Sequence, residues 1–153
     1  MLKDHVGPLM SSHGYLRRRQ GTYEKRNGDC VATVRFQRSV HNTKESVEFT
    51  INLSVLNEAI MEAFYDTVRR LYEQGHKGNV ADLRSGGWTS RIGHLMSEPH
   101  DHWWKLSLGE PTQPVVASVL ESLERIAIPR IEEEMDRPIS DPAFVILFED
   151  ETA

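Results

Sequence analysis

The chain reads as one α+β domain, an antiparallel β-sheet with helices packed mainly on one face, and three observations carry that reading. Two neighbouring segments, Cys30 to Val40 and Val47 to Val55, alternate apolar and polar residues with the period of half-buried strands. Two others, from Asn57 to Gly75 and from about Thr112 onward, repeat apolar residues at helical spacing. The order is helix, several strands, helix, two strands, helix, without strict βα alternation. That order suits an antiparallel sheet with segregated helices and disfavours a doubly wound nucleotide-binding sheet. At 153 residues, one domain with one core is expected across residues 1–153.

Leu2 to His13 sets Leu2, Val6, Leu9 and Met10 near one helical face, with Gly14 after its end. Pro8 implies either a kink or a helix whose first turn begins near Gly7. Tyr15 to Arg19 and Thr22 to Arg26 are short extended segments around Gly21, and Asn27-Gly28 then predicts a type I′ hairpin turn with positive φ at both positions. In the strand that leaves it, Ala32, Val34, Phe36 and Val40 share one face and Thr33, Arg35, Gln37 and Ser39 the other. Its partner sets Val47, Phe49, Ile51, Leu53 and Val55 against Glu48, Thr50, Asn52 and Ser54. The two are expected to pair antiparallel, with Phe36, Phe49 and Ile51 in one core with Phe64 and Leu120.

Asn57 is a natural N-cap for a helix carrying Ile60, Phe64, Val68 and Leu71. Gly75 to Gly87, with four glycines, predicts a loop. Trp88 to Met96 and His102 to Leu108 are strand segments, and a long helix follows with Val116, Val119, Leu120, Leu123 and Ala127 as its stripe. Pro129 should kink or break it. From Ser140 the signals conflict: Ser140-Asp141-Pro142 resembles a helix start, whereas Phe144 to Phe148 fits a buried strand.

Composition narrows the function classes. The hydrophobic fraction is 39% and mean hydropathy −0.49, ordinary for a folded domain with a charged surface. No apolar run approaches the ~20 residues of a membrane span, and Met1-Leu2-Lys3-Asp4-His5 leads into no secretory signal, so a soluble cytoplasmic protein is expected. Cys30 is the only cysteine, which excludes an intrachain disulfide. The net charge of −5 argues against a general nucleic-acid binder. Its distribution is uneven: residues 1–77 carry 12 Lys and Arg against 9 Asp and Glu, residues 78–153 carry 6 against 14.

Several stretches, Gln37-Arg38-Ser39, Phe49-Thr50-Ile51-Asn52-Leu53, Arg91-Ile92-Gly93 and Asp101-His102-Trp103-Trp104, stand in an order and spacing that resemble an uncharacterised bacterial family, Domain of Unknown Function 4304. The opening helix, Gly14-Tyr15 and the basic stretch after it look alike as well. The resemblance implies a compact α+β fold of about this length, and it implies no activity, cofactor or catalytic residue.

The residues offer few chemical constellations. His94, His100, Asp101 and His102 crowd one segment, but Pro99 and the change of strand spoil the spacing of a metal site, so surface histidines and no metal or other cofactor are expected. Cys30 has no local cation or base to activate it and reads as structural. No phosphate loop, His-Glu-x-x-His run or Gly-x-Ser-x-Gly elbow occurs. Arg17, Arg18, Arg19, Lys25 and Arg26, interleaved with Tyr15 and Tyr23, form a basic patch that fits a charge-protected edge strand. Glu132-Glu133-Glu134 with Asp136 fits a solvated helix face.

The polar sheet face is the most informative set: Arg35, Gln37, Thr50, Asn52, Arg91, Asp101 and Trp103. Guanidinium and amide groups beside an indole make either a recognition surface or a satisfied structural network. Arg91, in a segment suited to burial, needs acceptors, and Asn52, Gln37 or Asp101 are the expected partners. The leading expectation is a non-catalytic binding protein that uses this face to hold a protein or small molecule. Alternatives are a toxin-neutralising immunity-type protein, a metal-assisted hydrolase using the His94 to His102 region, and a nucleic-acid-associated protein using the basic patch.

Overall fold

The computed structural model describes residues 2–75 and 87–137, so the expectations for the loop between them and for residues 140–150 lie outside the described residues. Helix α1, Leu2–Ser12, runs through Pro8 without ending there. It buries Val6 and Met10, and Gly14, at φ 85°, then reverses the chain so that the Tyr15 N–H reaches Met10 O at 3.0 Å.

The sheet has six strands: β1 Leu16–Arg17, β2 Thr22–Asn27, β3 Cys30–Arg38, β4 Ser46–Asn57, β5 Gly87–Arg91 and β6 Trp104–Ser107. Neighbours follow the order β1-β2-β3-β4-β5, all antiparallel, and β6 pairs with β4 beside β5. β3 and β4 pair over their expected span, Cys30 opposite Asn57 and Arg38 opposite Phe49. The other edge of β4 is shared in tandem, with Asn52 to Leu56 against β5 and Ser46 to Phe49 against β6.

Several boundaries differ from the sequence expectations, each for a physical reason. Asn27 pairs with Cys30, so the turn residues are Gly28-Asp29 and only Gly28 takes positive φ, at 60°. A glycine at the first turn position replaces the expected Asn-Gly type I′ turn. β3 stops at Arg38, and Val40, expected on the core face, is 91% exposed. β5 ends at Arg91 and gives way to a 3₁₀ turn, Ile92–Leu95. There Gly93 lies so close to the His100 carbonyl and the His102 backbone nitrogen that a Cβ could not be seated. A strand through Met96 would carry the chain away from that contact.

Helix α2, Glu58–Glu73, is capped as expected, the Ile60 N–H donating to Asn57 Oδ1 at 3.1 Å. Phe64 is buried but lies outside the main core cluster, contrary to the shared core expected for it. The remaining helix is continuous: α3 Gln113–Ser122, a π-helical turn Leu123–Ala127, and α4 Ile128–Asp136. Pro129 therefore does not break it. The proline has no N–H and its ring crowds the preceding turn; the wider π turn just before it, with the Ile128 N–H on Leu123 O, accommodates both.

The core sits between the sheet and these helices. Val6 and Met10 of α1, Val119 of α3, Leu123 of the π turn and Ile128 and Ile131 of α4 pack with Val34, Ile51, Leu53 and Val55 of the central strands. An aromatic row crosses the same face, Tyr23 to Phe36 at 6.2 Å, Phe36 to Phe49 at 6.0 Å and Phe49 to Trp104 at 5.7 Å. Leu120, like Phe36, packs at the margin of the cluster. No helix among the described residues is long and apolar enough to cross a membrane.

Candidate functional site

The polar face is assembled by strand register. Gln37 stands opposite Thr50 and Arg35 opposite Asn52, while Asn52 faces Arg91 on its other edge. Asn52 donates to Gln37 Oε1 at 2.7 Å. Thr50 is fully buried because the loop after the 3₁₀ turn crosses it, and its hydroxyl donates to His102 O at 2.7 Å. Arg91 Nη1 donates to both Asp101 oxygens at 2.8 Å, with its guanidinium 5.6 Å from the Trp103 ring. Trp103 Nε1 also donates to Asp101, at 2.9 Å. That indole bond, then Arg91, holds the Asp101 carboxyl below the usual carboxylate range. Five of the seven predicted residues thus meet in two small networks, Gln37 with Asn52 and Arg91 with Asp101 and Trp103, while Thr50 bonds the His102 carbonyl and Arg35 is exposed at the border. The polar groups of these networks are largely spent on one another.

The histidines split up. His94 lies in the 3₁₀ turn, whereas His100 Nε2 and His102 Nδ1 are 3.0 Å apart and His100 Nδ1 is 2.7 Å from Glu98 O. Burial, and after it His100, lowers the His102 pKa. Asp101 faces Arg91 and Trp103, and no group of three or more His, Cys, Asp or Glu side chains converges among the described residues. Cys30 is half-buried, and burial raises its thiol pKa, opposite to the shift an activated nucleophile needs.

The basic patch also divides. Arg18 and Arg26 pair with Glu24, Arg26 reaches Glu58, and Lys25 lies 5.7 Å from the Tyr15 ring centre. Arg17 belongs elsewhere. It sits opposite Tyr23, on the core side of the sheet, where the first turn of α1 and the ends of β3 and β4 leave a groove of about 670 Å³. Leu2, Val6, Tyr23, Phe36, Phe49 and Leu106 supply an apolar, largely aromatic floor. Lys3, Arg17 and Arg38 supply the charge, all exposed and none ion-paired among the described residues, while Arg35 borders the groove with its side chain on the opposite sheet face, and no described lining residue is acidic.

Sequence reasoning missed this groove, although a signal existed. The alternation of β3 assigns position 38 to the core face along with Val34 and Phe36, and an arginine there has no business in a closed core. Arg17 gives the same signal only once β1 is known to pair with β2. Lys3 could not be placed without the tertiary docking of α1.

Fold and groove together define an open-sheet α+β domain with a cation-rimmed apolar cleft beside its central strands. The chain belongs to the family described as Domain of unknown function (DUF4304), which matches residues 6–133. No curated protein and no solved structure matches it.

Proposed function

We propose that this chain is a non-catalytic binding protein and that the groove, rather than the self-paired polar face, is its ligand site. The observation that carries the reading is the set of three cations, Lys3, Arg17 and Arg38, over an aromatic floor with no described acid among the lining residues. Cations left without carboxylate partners around an apolar hollow raise the local concentration of anions and hold them in reduced dielectric. No Asp, Glu, His, Cys or Ser lines the groove among the described residues; its ionisable side chains are cations and the Tyr23 phenol, a set suited to holding an anion. A reducing cytoplasmic setting belongs to the same reading and is supported by the single, half-buried Cys30.

The test is a backbone amide shift titration with 8-anilinonaphthalene-1-sulfonate, a probe both aromatic and anionic. The expected result is a saturable set of shifts at Gly21, Phe36 to Arg38 and Phe49, weakened about tenfold in R38Q, the scale of one charge-assisted hydrogen bond. Shifts confined to Arg91, Asp101 and Trp103 would move the site to the polar face.

A further inference from the structure

We infer that the groove is built for a small amphipathic carboxylate, a medium-chain or aryl-substituted acid, whose body lies on the Tyr23, Phe36 and Phe49 rings and whose head is taken by Arg38 and Arg17. The inference rests on the proposed ligand site and adds the chemistry of the ligand. Size comes first: about 670 Å³ falls within the range of small-ligand pockets, roughly 300–1,000 Å³. A folded partner needs a far larger contact area.

Strand geometry disfavours a peptide. The β2–β3 ladder ends where Thr22 meets Arg35, and the Phe36 N–H still donates to Gly21 O at 3.1 Å. Alternation then turns the Arg38 N–H toward the same open edge, beyond the last residue of β2. The free edge spans only the end of β3, too short to register an added strand, yet it offers one backbone donor beside the Arg38 guanidinium. A fork of guanidinium donors with an adjacent N–H matches the two oxygens of a carboxylate.

The floor decides the rest of the ligand. Phe36 and Phe49 lie side by side along the sheet, their rings tilted 38° to each other at 6.0 Å, with Leu2 and Val6 of α1 beside them, which favours an alkyl or aryl body. A nucleotide would also meet cations and rings. Its ribose hydroxyls, however, are commonly held by a carboxylate, and no described lining residue of the groove is acidic.

Calorimetric titration of the full chain with octanoate, 4-phenylbutyrate, octanamide, adenosine monophosphate and inorganic phosphate, with amide shifts to locate each, tests this. The expected result is that both acids bind with shifts at Phe36 to Arg38 and Gly21, and that octanamide binds at least about tenfold more weakly, as a lost charge-assisted contact requires. R17Q and R38Q should each weaken the acids about tenfold while leaving octanamide and the unfolding midpoint unchanged, since both side chains are exposed. Octanamide binding as tightly as octanoate overturns the role assigned to the head. Phosphate or adenosine monophosphate binding in the groove, with neither acid doing so, overturns the carboxylate inference and leaves the ligand site standing. If none of the five shifts a groove amide, and the aromatic sulfonate also fails, the ligand site falls as well.

Discussion

Arg91 shows how a charge can be held half out of water. Its side chain is 34% exposed, and it shares one carboxylate with the Trp103 indole while its own face lies against that ring. Because the pair stays partly solvated, its worth is that of a good surface ion pair, and Arg91→Ala should lower stability by about 1 kcal/mol in urea unfolding. A loss several times larger would mean that the pair is effectively buried. Acid adds a second check. Asp101 is held below its unfolded value, so its contribution is full above about pH 4 and is lost as pH falls through the lower folded value. D101N should flatten the stability curve there. His102 is also lowered, but at a gentler pH: folding favours its neutral form, so its contribution is full above about pH 6.5 and fades on acidification below that. Melting temperature should fall between about pH 7.5 and 5.5, and H102Q should reduce that fall.

Elements follow the same physics at larger size. Ile51 is fully buried in the middle of β4, and Ile51→Ala should cost about 2 to 5 kcal/mol. Gly93→Ala is a different kind of lesion, because its new Cβ would strike the backbone of His100 and His102 rather than a side chain that could swing away. Its expected result is a destabilised protein in which amide shifts move at Thr50 and Trp103, where the displaced loop rests. Strands β3 and β4 were legible in the sequence because one face meets the core and the other does not, which forces alternation. Their ends were less legible: Val40 continues the pattern of β3 after the pairing has stopped, and nothing in periodicity records that. Trp88 to Met96 misled for a tertiary reason, since Gly93 is fixed by a loop several residues further on. At Pro129 the helix does not break; its distortion takes the form of one π turn just before the proline.

Across the whole molecule, the uneven charge of the sequence becomes a place. Every described cation of the groove comes from residues 3 to 38, in the half of the chain where Lys and Arg exceed Asp and Glu. Since these cations are exposed, ligand affinity should fall steadily as salt rises from about 20 to 300 mM, where the Debye length shrinks several-fold. Salt-independent affinity would indicate binding by the floor alone. The β3 and β4 members of the polar face could be read in advance because alternation assigns them to one side of the sheet, while Asp101 and Trp103 reach it from the loop before β6. The groove could not, since it needs α1 docked on the sheet and a strand order that places Arg17 beside Tyr23.

Strand β4 carries one more consequence. It is flanked by β3 along nearly its whole length and by β5 and β6 in succession on its other edge, with the Thr50 hydroxyl holding the His102 carbonyl where neither reaches. Amide protons bonded within the β3–β4 and β4–β5 ladders have no fraying edge through which to escape. Deuterium exchange at Asn52 and Leu53 should therefore require the opening of the whole domain, and its rate should track global unfolding as denaturant is added. The amides of β1, only two residues long at the outer edge, should exchange through local opening long before.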